Sequence, residues 1–249
     1  MEKPSKVIGH RGAAGHAPEN TLASIARAAE MGCGWVEFDV MLAACGVPVV
    51  IHDQTLDRTT DGHGRVAAKT LAELKKLDAG SWFSADFVGA TIPALSEALT
   101  LLARLGLGAV VEIKPPAATE AKTGRLAAGV MAGFSGPKSP GLMVASFSTK
   151  ALIGAGDAAP EIPRALNTDT VPARWREILD GLGCRALHCR ASKLKEKEAR
   201  DIIDAGFDLR CYTVNEAAEA EKLFAWGVAG VFSDFPDRII GDRNNRRRR

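Results

Sequence analysis

Four short motifs combine residue types that can do chemistry: His10-Arg11-Gly12, Glu37-x-Asp39, His52-Asp53 and Glu112-x-Lys114. Each lies on a short apolar run or just after one. Side chains two apart in a strand share a face, which aligns Glu37 with Asp39 and Glu112 with Lys114. Three carboxylates brought together repel one another unless a cation sits among them. An all-oxygen set suits a hard divalent ion, Mg²⁺ or Ca²⁺, better than zinc. For any one carboxylate alone, ion pairing with Arg11 or Lys114 is the competing explanation. Imidazole titrates near neutrality, so His10 and His52 are candidates for general acid and general base. Arg11, Lys114 and a cation together would neutralise a doubly coordinated phosphate as charge develops on it, which favours phosphodiester over carbonyl chemistry.

Other residues gather around these. Ala17-Pro18-Glu19-Asn20-Thr21 reads as a loop and N-cap segment entering a helix, and Glu19 and Asn20 are candidates to orient Arg11. His16, His63 and His188 lack the same context, although His188 ends an apolar run and is a candidate pocket wall.

Positioning such a set requires strands whose ends converge. Eight strand-like runs are expected at 6–10, 35–41, 108–113, 141–147, 163–167, 185–189, 208–213 and 230–233. Helical segments are expected at 21–31, 93–105, 119–131, 171–182, 195–205 and 214–226, several closed by Gly106, Gly183, Gly206 or Gly227. This alternation signals β-α units and a parallel sheet, and 249 residues suit one eight-fold α/β barrel, whose active sites lie at the carboxyl ends of the strands. A ninth run at 47–51 follows too closely for a parallel crossover and is expected to return as an antiparallel hairpin. A turn centred on Ala44-Cys45 would set His52 beside Glu37 and Val50 beside Asp39. From about 53 to 90 the rhythm breaks, as expected of an insertion capping the barrel mouth.

Composition sets the frame. With 46% hydrophobic and 25% charged residues the chain has ample material for a core. The formal net charge is +2, and four positive charges sit in the terminal run Arg246-Arg247-Arg248-Arg249. A basic tail at 244–249 on an otherwise slightly acidic body reads as a solvated terminus, so no nucleic-acid partner is expected. The amino-terminal residues lack the apolar stretch of a signal peptide, and no run reaches the ~18 apolar residues of a membrane span. Cys33, Cys45, Cys184, Cys189 and Cys211 are odd in number and lack C-x-x-C spacing. A cytoplasmic protein of one domain over 1–249, with reduced thiols and no stable membrane association, is the expectation.

Taken in order, His10-Arg11-Gly12, Ala17-Pro18-Glu19-Asn20-Thr21, Glu37-Phe38-Asp39-Val40, His52-Asp53, Leu56-Asp57-Arg58-Thr59-Thr60, Ile92-Pro93-x-Leu95, Glu112-Ile113-Lys114-Pro115, Tyr212-Thr213-Val214-Asn215, Trp226-Gly227 and Ser233-Asp234 resemble the glycerophosphodiester phosphodiesterase family. The resemblance implies a TIM (β/α)8 barrel with a β-hairpin and a small insertion at its mouth. It implies Glu37, Asp39 and Glu112 as metal ligands and His10 and His52 as acid and base. In the family's mechanism the glycerol hydroxyl beside the diester attacks phosphorus, the alcohol leaves, and a cyclic phosphate is hydrolysed to glycerol 3-phosphate. The partner is then a small-molecule glycerophosphodiester, with the oligomeric state open. One departure is Ala43-Ala44-Cys45-Gly46 at the hairpin turn, where relatives commonly carry a Thr and an Asp-Gly pair; it bears on the hairpin rather than on chemistry. Trp82, Phe83, Phe147 and Trp226 are aromatic candidates for a choline site, Phe147 and Trp226 as pocket walls. Competing readings are a barrel phospholipase D-like enzyme for lysophospholipids, a catalytically silent binding protein, and a barrel aldolase, the last disfavoured because Lys114 has no Schiff-base context.

Overall fold

The computed structural model describes residues 6–134 and 141–246, with 242–246 as backbone alone. The first five residues and the side chains of the terminal arginine run lie outside the described residues. In chain order the elements are β1 (Val7–Gly9), α1 (Leu22–Glu30), β2 (Trp35–Leu42), β3 (Pro48–Val50), α2 (Leu71–Leu74), α3 (Leu95–Leu105), β4 (Gly108–Ile113), α4 (Glu120–Ala132), β5 (Leu142–Ser146), α5 (Thr149–Ala158), β6 (Arg164–Thr168), α6 (Trp175–Leu182), β7 (Ala186–Arg190), α7 (Glu196–Asp204), β8 (Asp208–Tyr212), α8 (Ala217–Ala225), β9 (Gly230–Ser233) and α9 (Pro236–Arg246).

All strands but β3 are parallel, in the order β1-β9-β8-β7-β6-β5-β4-β2. The β1–β2 pairing, with Ile8 opposite Trp35, closes them into an eight-stranded barrel ringed by helices. Ile8, Trp35, Val110, Met143, Ala145, Ala165, Ala186 and Phe232 fill its interior. A larger apolar layer between strands and helices includes Phe38, Val111, Leu99 and Leu209. The four glycines read as helix stops, Gly106, Gly183, Gly206 and Gly227, all have positive φ (67°, 61°, 88° and 95°).

Besides the single turn of α2, two helices were not legible. The α5 sequence carries Gly154 and Gly156, poor helix formers that mask its pattern. Gly154 is there for packing: a Cβ on it would lie 2.2 Å from the Ala121 carbonyl oxygen of α4, and one on Gly124 of α4 would lie 2.0 Å from that of Ala151. The two helices touch backbone to backbone. α9 begins with Pro236 at its first position, a start signal hidden by the polar run that follows.

The hairpin differs from expectation by one residue. Val40 pairs with Val50 and Leu42 with Pro48, so Ile51, not Val50, lies opposite Asp39, and His52 is not the partner of Glu37. The loop has an extra residue: the Ala43 amide bonds the Val47 carbonyl, the Gly46 amide bonds that of Ala43, and Gly46 has φ 79°. This is the three-residue hairpin loop ending in a left-handed glycine, where sequence alone suggested a two-residue turn. A slip of one residue exchanges the faces of a strand. Accordingly Val49 and Ile51 join Met41, Leu56, Val66, Leu74 and Ile92 in a separate small core beneath residues 53–92.

The reciprocal glycine contact makes a stability prediction. Gly154→Ala is expected to lower the free energy of unfolding by about 1–3 kcal/mol in urea denaturation, the usual cost of overpacking. Gly129→Ala, on α4 where an added methyl group meets nothing, should instead stabilise by about 0.5–1 kcal/mol. Equal effects at the two positions would show that the contact does not constrain the helices.

Candidate active site

The β1 strand delivers His10 and then turns sharply. Arg11 lies in the left-handed region (φ 51°) and Gly12 follows at φ 84°. A Cβ on Gly12 would lie 2.2 Å from the Ser24 hydroxyl, so only glycine fits there. Such backbone in a residue with a side chain costs about 1–3 kcal/mol and persists only when its surroundings hold it. Here the Arg11 amide donates to Glu37 Oε2 (3.0 Å) and the Ser24 hydroxyl to the Arg11 carbonyl (2.6 Å).

Glu37 and Asp39 lie on β2, and Asp39 is in register with Glu112 on β4. One oxygen from each of the three lies within 4.8 Å of the others. Glu37 and Asp39 are buried, and Oε1 of Glu37 and of Glu112 are buried without a hydrogen-bond partner. Burial, reinforced by Asp39 and Glu112, drives the Glu37 carboxyl well above its usual range. Burial and Asp39 push Glu112 up to about 8. The neighbouring cations do not quench this charge, since Lys114 Nζ stands 3.8 Å from both Asp39 and Glu112, and Arg11 Nε 3.6 Å from Asp39. Orphaned oxygens in an all-carboxylate cluster fit a hard divalent cation.

Both histidines are anchored through Nδ1 by an aspartate. His10 donates to Asp234 (2.6 Å), which is fixed in turn by Asn215 through two 2.9 Å bonds. Burial would raise the Asp234 carboxyl, but the bond to His10 and Asn215 holds it below its ordinary range. His52 donates to Asp53 (2.6 Å). Its Nε2 accepts from Lys114 Nζ at 2.7 Å. Burial, with Arg11 and Lys114 adding to it, lowers His52 despite the opposing charge of Asp39. The Nε2 atom of His10 stands 3.9 Å from Glu37.

Glu19 does orient Arg11, accepting from Nη1 at 2.7 Å. Asn20 holds the Arg11 backbone, its amide donating to the Arg11 carbonyl (3.1 Å), while its side chain holds Asp39: Nδ2 donates to Oδ2 (2.8 Å) and Oδ1 accepts from the Asp39 amide (3.1 Å). Arg58, from the segment after the hairpin, bonds Glu19 twice at 2.8 Å and Asp53 at 2.6 Å. Asn167 on β6 donates to Glu112 (2.9 Å).

These residues surround a cavity of ≈ 260 Å³ at the carboxyl ends of the strands, and His188 and the half-exposed Phe147 line it too. A wider groove of ≈ 650 Å³ opens beside it, sharing His52, Glu112, Lys114 and Phe147. Trp226 is not brought to the site. It caps the carboxyl end of α8 under Lys222, at the end of the barrel where β9 begins. Trp82 bonds the Ala79 carbonyl and packs on Phe83 within the insertion, away from both cavities. Asp53, Asp234, Asn215, Asn167 and Arg58 were not singled out as site residues from sequence. Asp53, Asp234, Asn215 and Arg58 had a signal, since each stands in one of the short motifs quoted from the sequence; Asn167 had none without the tertiary structure.

The family model described as the glycerophosphoryl diester phosphodiesterase family matches residues 10–238. The chain belongs to that family. The glycerophosphodiester phosphodiesterase of Bacillus subtilis (strain 168) is 33% identical over 247 residues, covering 92% of this chain and 83% of its own length. A solved Oleispira antarctica phosphodiesterase in complex with its product sn-glycerol-3-phosphate is 40% identical, covers 97% of each chain and superposes with a TM-score of 0.94. The glycerophosphodiester phosphodiesterase of Agrobacterium tumefaciens str. C58 is 30% identical over 94% of this chain and 98% of that one, with a TM-score of 0.77. Among the described residues no helix is long and apolar enough to cross a membrane. All five cysteines are free.

The raised carboxylates of this phosphodiesterase fold predict how the metal-free protein melts. Glu112 rises from 4.5 to about 8 on folding, so its stabilising contribution is complete below the unfolded value and is lost as pH rises through the folded one. In EDTA near pH 8, Glu37→Gln should therefore raise the melting temperature, and the gain should fade toward acid pH. The same variant should lose much of the rise that added Mg²⁺ or Ca²⁺ gives the wild type. Unchanged melting under both conditions would remove Glu37 from the cluster.

Proposed function

We propose that the chain hydrolyses glycerophosphodiesters to glycerol 3-phosphate and an alcohol, with His10 and His52 transferring protons across a cation held by Glu37, Asp39 and Glu112. The observation that carries the reading is the pair of aspartate-anchored histidines flanking three clustered carboxylates, two of them buried, at one barrel mouth. The ion, Mg²⁺ or Ca²⁺, would polarise a phosphoryl oxygen and offset its charge.

The chain's own residues supply the rest. Arg11, fixed by Glu19, and Lys114 neutralise the diester from the side. His52 holds its proton on Nδ1 against Asp53, leaving Nε2 free of hydrogen and bonded to Lys114. It is the group that takes the proton from the attacking glycerol hydroxyl. His10, held through Nδ1 by Asp234, presents Nε2 beside Glu37 and delivers a proton to the departing oxygen; with their roles reversed, the two rings then serve the addition of water that opens the resulting cyclic phosphate to glycerol 3-phosphate. The narrow cavity accommodates the glycerol end, and the open groove beside Lys114 takes the alcohol toward solvent. We read the chain as one barrel domain whose insertion supplies Arg58 to this network, acting on a small-molecule partner in the cytoplasm.

His10→Ala and His52→Ala are each expected to reduce turnover by at least ~10²-fold while retaining the fold. Asp53→Asn and Asp234→Asn should cost about 10–100-fold, acting through the histidines they orient. The decisive assay is glycerol 3-phosphate release from glycerophosphocholine, glycerophosphoethanolamine and glycerophosphoglycerol by EDTA-stripped protein, with and without Mg²⁺ or Ca²⁺. Metal-dependent release is expected; silence on all three, with choline released from a lysophospholipid, would transfer the enzyme to the lipid-hydrolysing class.

A further inference from the structure

His188 is a buried titratable group that this mechanism does not use. It lies on β7 at the floor of the narrow cavity, 1% exposed, with its ring edge-on to Phe232 at 5.0 Å. Its Nδ1 faces Asn167 Oδ1 at 3.0 Å, and the same amide donates through Nδ2 to Glu112 Oε2 at 2.9 Å.

That chain fixes every proton in it. A ligating carboxylate can only accept, so the Asn167 NH₂ must face Glu112 and its oxygen must face His188. The oxygen can only accept in turn, so His188 carries its hydrogen on Nδ1. Nε2 is left with a lone pair, and it is buried with no hydrogen-bond partner among the described residues. Burial and the neighbouring Arg210 keep the ring neutral, well below its ordinary pKa. The floor of the cavity therefore offers one fixed, unfilled hydrogen-bond acceptor, a single amide away from the metal-binding carboxylates.

We infer that His188 Nε2 accepts a hydrogen bond from the glycerol hydroxyl that takes no part in the reaction, and so selects substrates whose terminal hydroxyl is free. This rests on the proposed glycerophosphodiester reading and adds its specificity. A hydroxyl has the hydrogen this acceptor needs; an ester or ether oxygen at the same carbon has none and adds bulk against Phe232. The residue discriminates between a deacylated diester and one that still carries a chain. His188 is thus a binding residue for the non-reacting end, with no proton to transfer.

The test follows choline release from three substrates: glycerophosphocholine, its analogue lacking only the terminal hydroxyl, and its analogue methylated on that hydroxyl. A buried acceptor left unpaired penalises an analogue heavily, so wild-type kcat/KM should fall on the order of 10²-fold for both. His188→Phe should bring glycerophosphocholine down toward the analogues, mainly through KM, and leave the analogues themselves unchanged. His188→Gln, which restores an acceptor, should recover part of the preference. The inference is overturned if the wild type treats all three alike, a comparison that needs no variant. It is equally overturned if His188→Phe depresses all three by the same factor, as a structural role would. Release from none of the three by metal-loaded wild type would instead fell the phosphodiester reading and the inference with it.

Discussion

The arrangement turns on mutual repulsion. Glu37, Asp39 and Glu112 are brought within one coordination sphere at a barrel mouth where little water screens them. Like charges buried together are tolerable only with protons or a cation among them, and a cation is the solution that also serves phosphoryl chemistry. The surrounding residues are arranged to accommodate that charge without cancelling it. Arg11 and Lys114 stand at 3.6–3.8 Å, close enough to moderate the field and too far to neutralise it by tight pairing. Asn20, Asn167 and the Arg11 amide fix one oxygen of each carboxylate with a neutral donor, and Oε1 of Glu37 and of Glu112 are left buried without a partner.

The same principle governs the histidines. His10 and His52 are each held by an aspartate through Nδ1, while His188 is held by an amide. A carboxylate partner stabilises a positive ring; an amide oxygen beside a buried arginine does not. Three imidazoles around one cavity are thereby given different protonation behaviour by what stands behind them.

Much of this was legible in the sequence because strand ends in a barrel are short and the polar residues follow them directly. His10, Glu37, Asp39, His52, Glu112 and Lys114 all lie within a residue or two of an apolar run, and the period-two spacing assigns their faces. Legibility failed where tertiary contact overrides local pattern. The α5 helix carries Gly154, which the Ala121 carbonyl on another element requires to be small. The hairpin register depended on whether Gly46 adopts positive φ, which adds one residue to the loop and is not dictated by the identity of glycine. Asn20 and Asn167 are neutral amides, and their partners are fixed only when the barrel closes. Trp226 had the residue type of a pocket wall, but α8 ends at the opposite pole of the barrel.

Arg58 has a consequence for how this scaffold diversifies. It leaves the insertion and clamps Glu19 and Asp53, the residues standing behind Arg11 and His52. The insertion is therefore wired into the machinery it overhangs. Its outer surface, with Trp82 and Val88 exposed, lies away from both cavities and is free to drift. The stretch around Arg58 is not, because any remodelling there is felt at once by Arg11 and His52 through the carboxylates behind them. A change of head-group preference in such a chain is expected along the groove beside Lys114, at Gln54, Thr55 and Phe147, with the clamp inherited intact.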